Sequence, residues 1–500
     1  MSQRKVLLGS LLLVGKRWAN RLLSLASTVV LARLLAPQDY GLLALALSVS
    51  IVFEVIAQFH FDLALIRKPE VTPDDLNSAW TLNVICNTAV ALALAAAAPL
   101  LALATRTPEL TPVVVCIALC FLFDGLQNIG MVLWRKQMVF TKEVTQELTG
   151  KVIEIAVAIG IAFVHPSVWA LVGGMMAGRL CTLLMTYLLH PYRPRFSLVQ
   201  WRGLMGYSGW AMLFNLFNEI GRSADTFILG RMHGLTSVGL FANARTLAAL
   251  PTTELMLPIT RSLFPAFSTL LSEPARLRDA YLKALSGVLL LALPLAIGLV
   301  FVADAAVLVL FGPRWLDAVP LVQGLALAQV AMLSGASRVP LLMALGRNRA
   351  LMVRAAAMMV VRPAVVVASL QWGGLHALPL GIMVVLWITV LIDSALVARA
   401  LSYGSWLMLK RTWRPYAAVA VMALVLWQAL PSAPLHGTID ALQRLLLATF
   451  IATPAYLATA FTLWHVSGRP DALERTLFDM LRSRLQRRRT PVPQRGDPPA

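Results

Sequence analysis

The chain is poor in charge, and poorest in acid. Only 13% of its 500 residues are Asp, Glu, Lys or Arg, and 24 acidic residues face 43 basic ones. So little charge cannot cover a soluble surface of this size. With 58% hydrophobic residues and a mean hydropathy of +0.74, an ordinary soluble enzyme is excluded. Cysteine is scarce too. Cys86, Cys116, Cys120 and Cys181 all lie in apolar stretches, so no disulfide framework is expected. The Cys116/Cys120 pair has no histidine nearby and reads as helix packing rather than a zinc site. A G-x-x-x-x-G-K-[ST] loop is absent, which excludes nucleotide hydrolysis of that kind, and no cofactor is implied. The first apolar run does not resemble a cleaved signal peptide, because it is long, carries Lys16, Arg17 and Arg21, and continues as a span.

What is present is a series of apolar stretches of roughly 20 to 28 residues, each enough to cross a hydrocarbon core as a helix. They fall near 8–34, 39–66, 76–104, 109–134, 144–165, 168–190, 204–230, 236–269, 280–310, 318–345, 349–371, 375–400, 413–431 and 438–466. The expected fold is an all-α polytopic membrane protein with about fourteen transmembrane helices. The net charge of +19 sits on alternate loops, among them Arg67/Lys68, Arg135/Lys136, Arg193/Arg195, Arg347/Arg349 and Lys410/Arg411. By the positive-inside rule both termini are cytoplasmic. No soluble domain carries a basic face, so no nucleic-acid partner is expected. The loops on the opposite side are all short, which leaves no acceptor-binding domain for an enzyme joining sugars there.

Two stretches read as copies of one hairpin. Arg33-Leu34-Leu35-Ala36-Pro37-Gln38-Asp39-Tyr40-Gly41-Leu42-Leu43-Ala44-Leu45-Ala46 aligns with Arg231-Met232-His233-Gly234-Leu235-Thr236-Ser237-Val238-Gly239-Leu240-Phe241-Ala242-Asn243-Ala244, and Asn20 aligns with Asn218 upstream. Six spans separate the copies, so they share one orientation in the membrane. The expectation is two six-helix lobes, 1–190 and 203–401, related by a pseudo-two-fold along the membrane normal. Two further helices in 410–466 and a basic cytoplasmic tail, 467–500, follow. In that tail Leu473, Leu477, Met480, Leu481 and Leu485 recur at helical spacing among arginines. Either an amphipathic surface helix or a partly disordered basic segment fits it, with disorder expected after Thr490.

Charged groups at bilayer depth are costly, so they mark a cavity or an ion pair. On the seventh span Asn215, Asn218, Arg222 and Asp225 share one helical face, and on the first Arg17, Arg21, Ser24 and Thr28 do. These stripes could line a cavity for a large hydrophilic substrate, or Arg222 and Asp225 could pair within their helix. Arg245, Arg338, Arg354 and Arg362 give the second half an excess of intramembrane cations suited to phosphate oxygens, although Arg354 could instead snorkel to the cytoplasmic surface. Glu54, Asp124 and Glu154 are candidates for coupling to H+ or Na+, or each could pair with a base such as Lys151 or Arg179.

The segments Ala32-Arg33-Leu34-Leu35-Ala36-Pro37-Gln38-Asp39-Tyr40-Gly41-Leu42, Ala64-Leu65-Ile66-Arg67-Lys68 and Val168-Trp169-Ala170-Leu171-Val172 resemble the polysaccharide transporter branch of the multidrug/oligosaccharidyl-lipid/polysaccharide exporter superfamily, the Wzx-type flippases. Asp225-Thr226-Phe227-Ile228-Leu229-Gly230-Arg231 and Leu263-Phe264-Pro265-Ala266-Phe267-Ser268 look like the same family's second half. The resemblance covers most of the chain to about residue 400. It implies a bacterial inner-membrane protein that turns an undecaprenyl-pyrophosphate-linked oligosaccharide between leaflets by alternating access, for exopolysaccharide, capsule or O-antigen synthesis. It also implies a cationic central cavity, no catalytic residues, and polysaccharide polymerase and export proteins as partners. Ser24 and Ser27 stand where the second half has Arg222 and Asp225, so the halves are not chemically equivalent. An ion-coupled exporter of small cations and a membrane glycosyltransferase or ligase are the competing readings.

Overall fold

The computed structural model describes residues 3–57, 61–204, 209–402, 405–430, 435 and 437–469. The tail whose helical spacing was noted above lies outside these residues from 470 onward. The described residues are helical throughout, without a strand: α1 Gln3–Leu34, α2 Pro37–Ala57, α3 Phe61–Arg67, α4 Pro73–Thr105, α5 Leu110–Gly125, α6 Met131–Lys136, α7 Thr141–Val164, α8 Val168–Leu189, α9 Trp201–Leu204, α10 Gly209–Ser268, α11 Pro274–Leu310, a 3-10 turn Pro313–Ala318, α12 Val319–Gly335, α13 Arg338–Ala344, α14 Asn348–Leu401, α15 Ser405–Ala429 and α16 Thr438–Val466. Two of these bend back on themselves. Gly234 (φ 78°) divides α10, and Gly373 with Gly374 (φ 61°) divides α14, at a backbone conformation that glycine adopts without a Cβ penalty. Counted with those breaks, with α3, α6 and α13 taken together with the helices before them and the four-residue α9 left aside, the described residues form fourteen rods that follow the expected spans closely. The protein is a multi-pass membrane protein.

By contact the chain divides into two compact units, 1–247 with 304–325 and 348–385, and 248–303 with 326–347 and 386–500. The first unit contains both hairpin copies, and they pack on each other. A Cβ on Gly41 would overlap the carbonyl oxygen of Leu235, and a Cβ on Gly239 would overlap that of Pro37. Since Pro37 and Leu235 occupy the same repeat position, the contact is reciprocal. Around it Asp39 accepts from Ala36 N (3.0 Å) and from Val168 N (3.0 Å), joining the start of α2 to the start of α8. Trp315 donates its indole N–H to Ala32 O (2.9 Å) and stands edge-on to Tyr40 (5.3 Å), while Arg33 donates to Val309 O near the end of α11 (3.0 Å).

The segment after α8 is tied down along α4. Arg195 N donates to Asn77 Oδ1 (2.8 Å), Ser197 N to Thr81 Oγ1 (3.0 Å) and Gln200 N to Ser78 Oγ (3.1 Å), and Tyr192 O–H reaches Asn77 Oδ1 (2.7 Å). Backbone donors without a helix partner thus find side-chain acceptors. At its start His190 packs edge-on against Trp134 (4.7 Å), and its Nδ1 accepts from Tyr192 N (3.1 Å). In the second unit Pro294 removes the N–H that Leu290 O would accept, and Tyr456 of α16 supplies an O–H to that carbonyl instead (2.7 Å).

Two predictions follow from this packing. Gly41→Ala or Gly239→Ala forces two backbones apart, so each should lose well over the ~1–3 kcal/mol typical of overpacking, read as a fall in melting temperature or loss of monodisperse protein in detergent. Gly160→Ala, with nothing within 4 Å of its added Cβ, should be neutral or gain up to about 1 kcal/mol. The second concerns pH. Burial, reinforced by the Arg193 guanidinium, holds the His190 pKa below its ordinary value. The unfolded chain therefore binds this proton more readily, so the stability it represents is complete above about pH 6.5 and is lost as the pH falls below it. His190→Gln should flatten the decline in melting temperature between neutral and mildly acid pH.

Candidate functional site

The charged residues singled out by spacing fall into separate groups. On α10 and α14, within the first unit, Asp225 is fully buried and accepts two-pronged hydrogen bonds from Arg362, with Nε at 2.9 Å from Oδ1 and Nη2 at 2.6 Å from Oδ2. The two helices lie close here, a Cβ added at Gly221 falling at ordinary contact distance from Met359 Cα (3.6 Å) and Arg362 Cδ (3.8 Å). Arg222 does not pair with Asp225. It points to the exposed side of the helix and meets Glu219 at 3.2 Å, so the intrahelical Arg222–Asp225 pair is replaced by two other pairs. The physical reason is direction: one helix turn offers Arg222 a carboxylate on either side, but Asp225 faces α14, where a guanidinium completes both its oxygens.

Arg245 comes from the returning half of α10. It lies over the Phe241 ring at 5.4 Å and feels the charges of Arg222, Asp225, Arg362 and Glu219. Three guanidinium groups thus share one field with two carboxylates, and both carboxylates are already matched. Arg245 is the cation of this group with no carboxylate within ion-pair distance among the described residues. Asn215 and Asn218 lie a turn or two below on α10, Asn218 donating to Phe214 O (2.7 Å), and Arg354 of α14 stacks over Phe214 (5.7 Å). Arg354 is buried, so it is not a snorkelling side chain in this structure. Thr226 and Asn243 are also buried here, with Oγ1 and Nδ2 unused.

A second group joins α1, α2, α5, α7 and α8. Asp124 is gripped by Arg179 (2.9 and 3.1 Å) and accepts from Gln127 (3.0 Å), and Glu54 acts electrostatically on both Asp124 and Arg179. Glu154 pairs with Lys151 at 2.6 Å. Asp124 and Glu154 thus hold Arg179 and Lys151, and Glu54 belongs to the same electrostatic group as Asp124 and Arg179. Lys16 clips α1 to α7 through Glu143 (3.1 Å) and Glu147 (3.0 Å), with Arg135 bridging Glu143 to Asp62. Arg17 and Arg21 are half-buried on the same helix as Lys16. Arg338 belongs to the second unit. The sequence reading missed Glu219 and the Lys16 clip. Glu219, three residues before Arg222, was visible as a helical neighbour, whereas nothing local in the sequence announces a bond between α1 and α7.

A strand-free set of fourteen rods, with paired charges buried between apolar helices, defines a polytopic membrane protein of the helical transporter class. Its family follows from the sequence: residues 30–320 match the model of the polysaccharide biosynthesis protein family, and the chain belongs to it. Among its relatives, the succinoglycan biosynthesis transport protein ExoT of Rhizobium meliloti (strain 1021) is 25% identical over 93% of each chain. The lipopolysaccharide biosynthesis protein WzxC of Escherichia coli (strain K12) is 26% identical over 60% of this chain and 62% of its own length, so that match leaves over a third of WzxC unaligned. A solved structure of the lipid II flippase MurJ in an inward closed conformation superposes with a TM-score of 0.70, over 93% of this chain and 100% of that one. At 11% identity this establishes the fold alone.

The Asp225–Arg362 pair carries a direct test. Removing either partner leaves a buried charge unmatched, at a cost of about 3–5 kcal/mol, whereas replacing both with apolar residues should be far milder. Melting temperatures of Asp225→Leu, Arg362→Met and the double variant should show strong coupling. Additive losses would mean that the pair does not exist.

Proposed function

We propose that the protein moves an undecaprenyl-pyrophosphate-linked oligosaccharide from the cytoplasmic to the periplasmic leaflet of a bacterial inner membrane, both termini being cytoplasmic, for exopolysaccharide, capsule or O-antigen synthesis. The observation that carries this is the Arg222/Arg245/Arg362 group. Two of its guanidiniums are matched by carboxylates, and Arg245 retains both forks of its donor set for phosphate oxygens. A cationic cargo would meet the same excess charge and be repelled, which disfavours an exporter of small cations. Family membership and the naming of ExoT for transport in succinoglycan biosynthesis support the same reading.

The hydrocarbon part of such a substrate has a suitable environment as well. In the second unit α11, α15 and α16 line an open apolar groove of about 980 Å³, among Leu291, Leu295, Met422, Leu457 and Phe461. Asn215, Asn218, Arg17 and Arg21 would contact sugar hydroxyls or phosphate. Alternating access of the two six-helix lobes would expose these groups first to one leaflet and then to the other. Polysaccharide polymerase and export proteins would take up the product. In this reading the protein is a transporter and not an enzyme. Coupling to H+ or Na+ would act through Glu54, Asp124 or Glu154, and the pairs that Asp124 makes with Arg179 and Glu154 with Lys151 must open before those carboxylates can exchange a cation.

Arg245→Ala should leave the protein inserted at normal abundance while lipid-linked repeat units stay inaccessible to a membrane-impermeant reagent added outside. Loss of surface polysaccharide of at least tenfold is expected, since one charged hydrogen-bonded contact is worth about 1.5–3 kcal/mol. Arg245→Lys should recover only part of it. Normal surface polysaccharide in both Arg245→Ala and Arg222→Ala would overturn the assignment.

A further inference from the structure

In the second unit the membrane helix that begins with α12 breaks after Gly335 and resumes at Arg338 as α13. Arg338 is 1% exposed, the largest fully buried side chain after Trp315 among the described residues. Its Nη2 meets only the thioether sulfur of Met408 on α15, at 3.4 Å. Nε and Nη1 have no hydrogen-bond partner, and no carboxylate lies within ion-pair distance among the described residues. Arg179, Arg222 and Arg362, by contrast, each hold a carboxylate.

The neighbouring hydroxyls bring no compensating negative charge. Ser337, immediately before Arg338, is fully buried with an unused hydroxyl. Ser334 donates to Val330 O (2.7 Å), so it is Tyr416 that donates to Ser334, and the phenol's proton is thereby spent. A thioether is a weak acceptor, and guanidinium groups in proteins do not escape burial by losing a proton. An unmatched buried cation of this kind costs several kcal/mol, and more within a membrane. What this place offers a ligand is one full positive charge, the unused Nε and Nη1 donors of the guanidinium and a hydroxyl.

We propose that Arg338, with Ser337, binds a small monovalent inorganic anion, chloride in the cell, and that the anion locks the α12–α13 break to α15. The enclosure sets the size. A group buried this completely has no room for a sugar or a lipid headgroup, and a phosphate would bring more negative charge than one guanidinium matches. The site is therefore a fixed structural element and separate in role from the arginines that take the transported substrate.

The test is thermal unfolding of the purified full-length protein in detergent, followed by tryptophan fluorescence, in sodium chloride, bromide or gluconate at constant sodium and ionic strength. Chloride and bromide should raise the melting temperature with the logarithm of their concentration, as a saturable ligand does, and gluconate should not. Arg338→Met should abolish the dependence and Ser337→Ala should weaken it. Equal melting temperatures in chloride and gluconate, or an undiminished chloride effect in Arg338→Met, would overturn the proposal. Should that variant not fold, bromide anomalous scattering from crystals of the unaltered protein decides instead. A peak within hydrogen-bond distance of the Arg338 guanidinium supports the site, and bromide found only elsewhere, for instance at Arg245, refutes it.

Discussion

Two glycines at equivalent positions of the repeat hold the two hairpins together. At Gly41 and Gly239 each hairpin lays its backbone against the carbonyl of the other, Leu235 in one direction and Pro37 in the reverse. In a membrane, where lipid is as apolar as leucine, helices gain little from hydrophobic burial against each other and depend on close backbone approach and polar contacts. The crossing supplies the approach. Asp39, Trp315 and Arg33 supply the polar contacts around it, each satisfying a backbone group left over where a helix begins or ends. A gene duplication explains the reciprocity, because a surface that packs on its own copy needs only one solution.

From the hairpins outward, charge takes over from close packing as the agent that joins helices. Lys16 ties α1 to α7, Arg179 ties α8 to α5, and Arg362 ties α14 to α10. Each pair satisfies two groups that neither helix could carry alone into hydrocarbon. Such pairs are poor evidence of stability in comparison with an apolar core, but they specify which helix meets which. They are also breakable, since a charge with a carboxylate on one helix can exchange it for an ion or a phosphate.

The helices were legible because apolar length is a local property. The hairpin repeat was legible because Arg, Gly, Leu and Ala fall at matching offsets. Even the stripe of Asn215, Asn218, Arg222 and Asp225 could be read, as it depends only on the period of one helix. Its wiring could not. Arg222 has carboxylates three residues away on both sides, and sequence alone cannot say that Asp225 is turned toward Arg362, a residue 137 positions later. In the same way Arg338 and Arg362 are equivalent as letters, each an arginine within an apolar run, and only packing shows that one is matched and the other is not.

The departures from repeat symmetry carry more than the symmetry does. Ser24 and Ser27 in the first copy correspond to Arg222 and Asp225 in the second, and Leu45 corresponds to Asn243. In the first copy the bond at this level stays within α1, the Thr28 hydroxyl donating to the Ser24 backbone carbonyl (2.8 Å). In the second, Asp225 reaches across to α14 and Asn243 keeps an amide donor unused in the interior. After duplication, then, one copy has hydroxyls at the two positions where its twin has Arg222 and Asp225. An exchange of the two sets would preserve the crossing at Gly41 and Gly239 but move the charge to the wrong helix, which is why like halves in such a fold are not interchangeable parts.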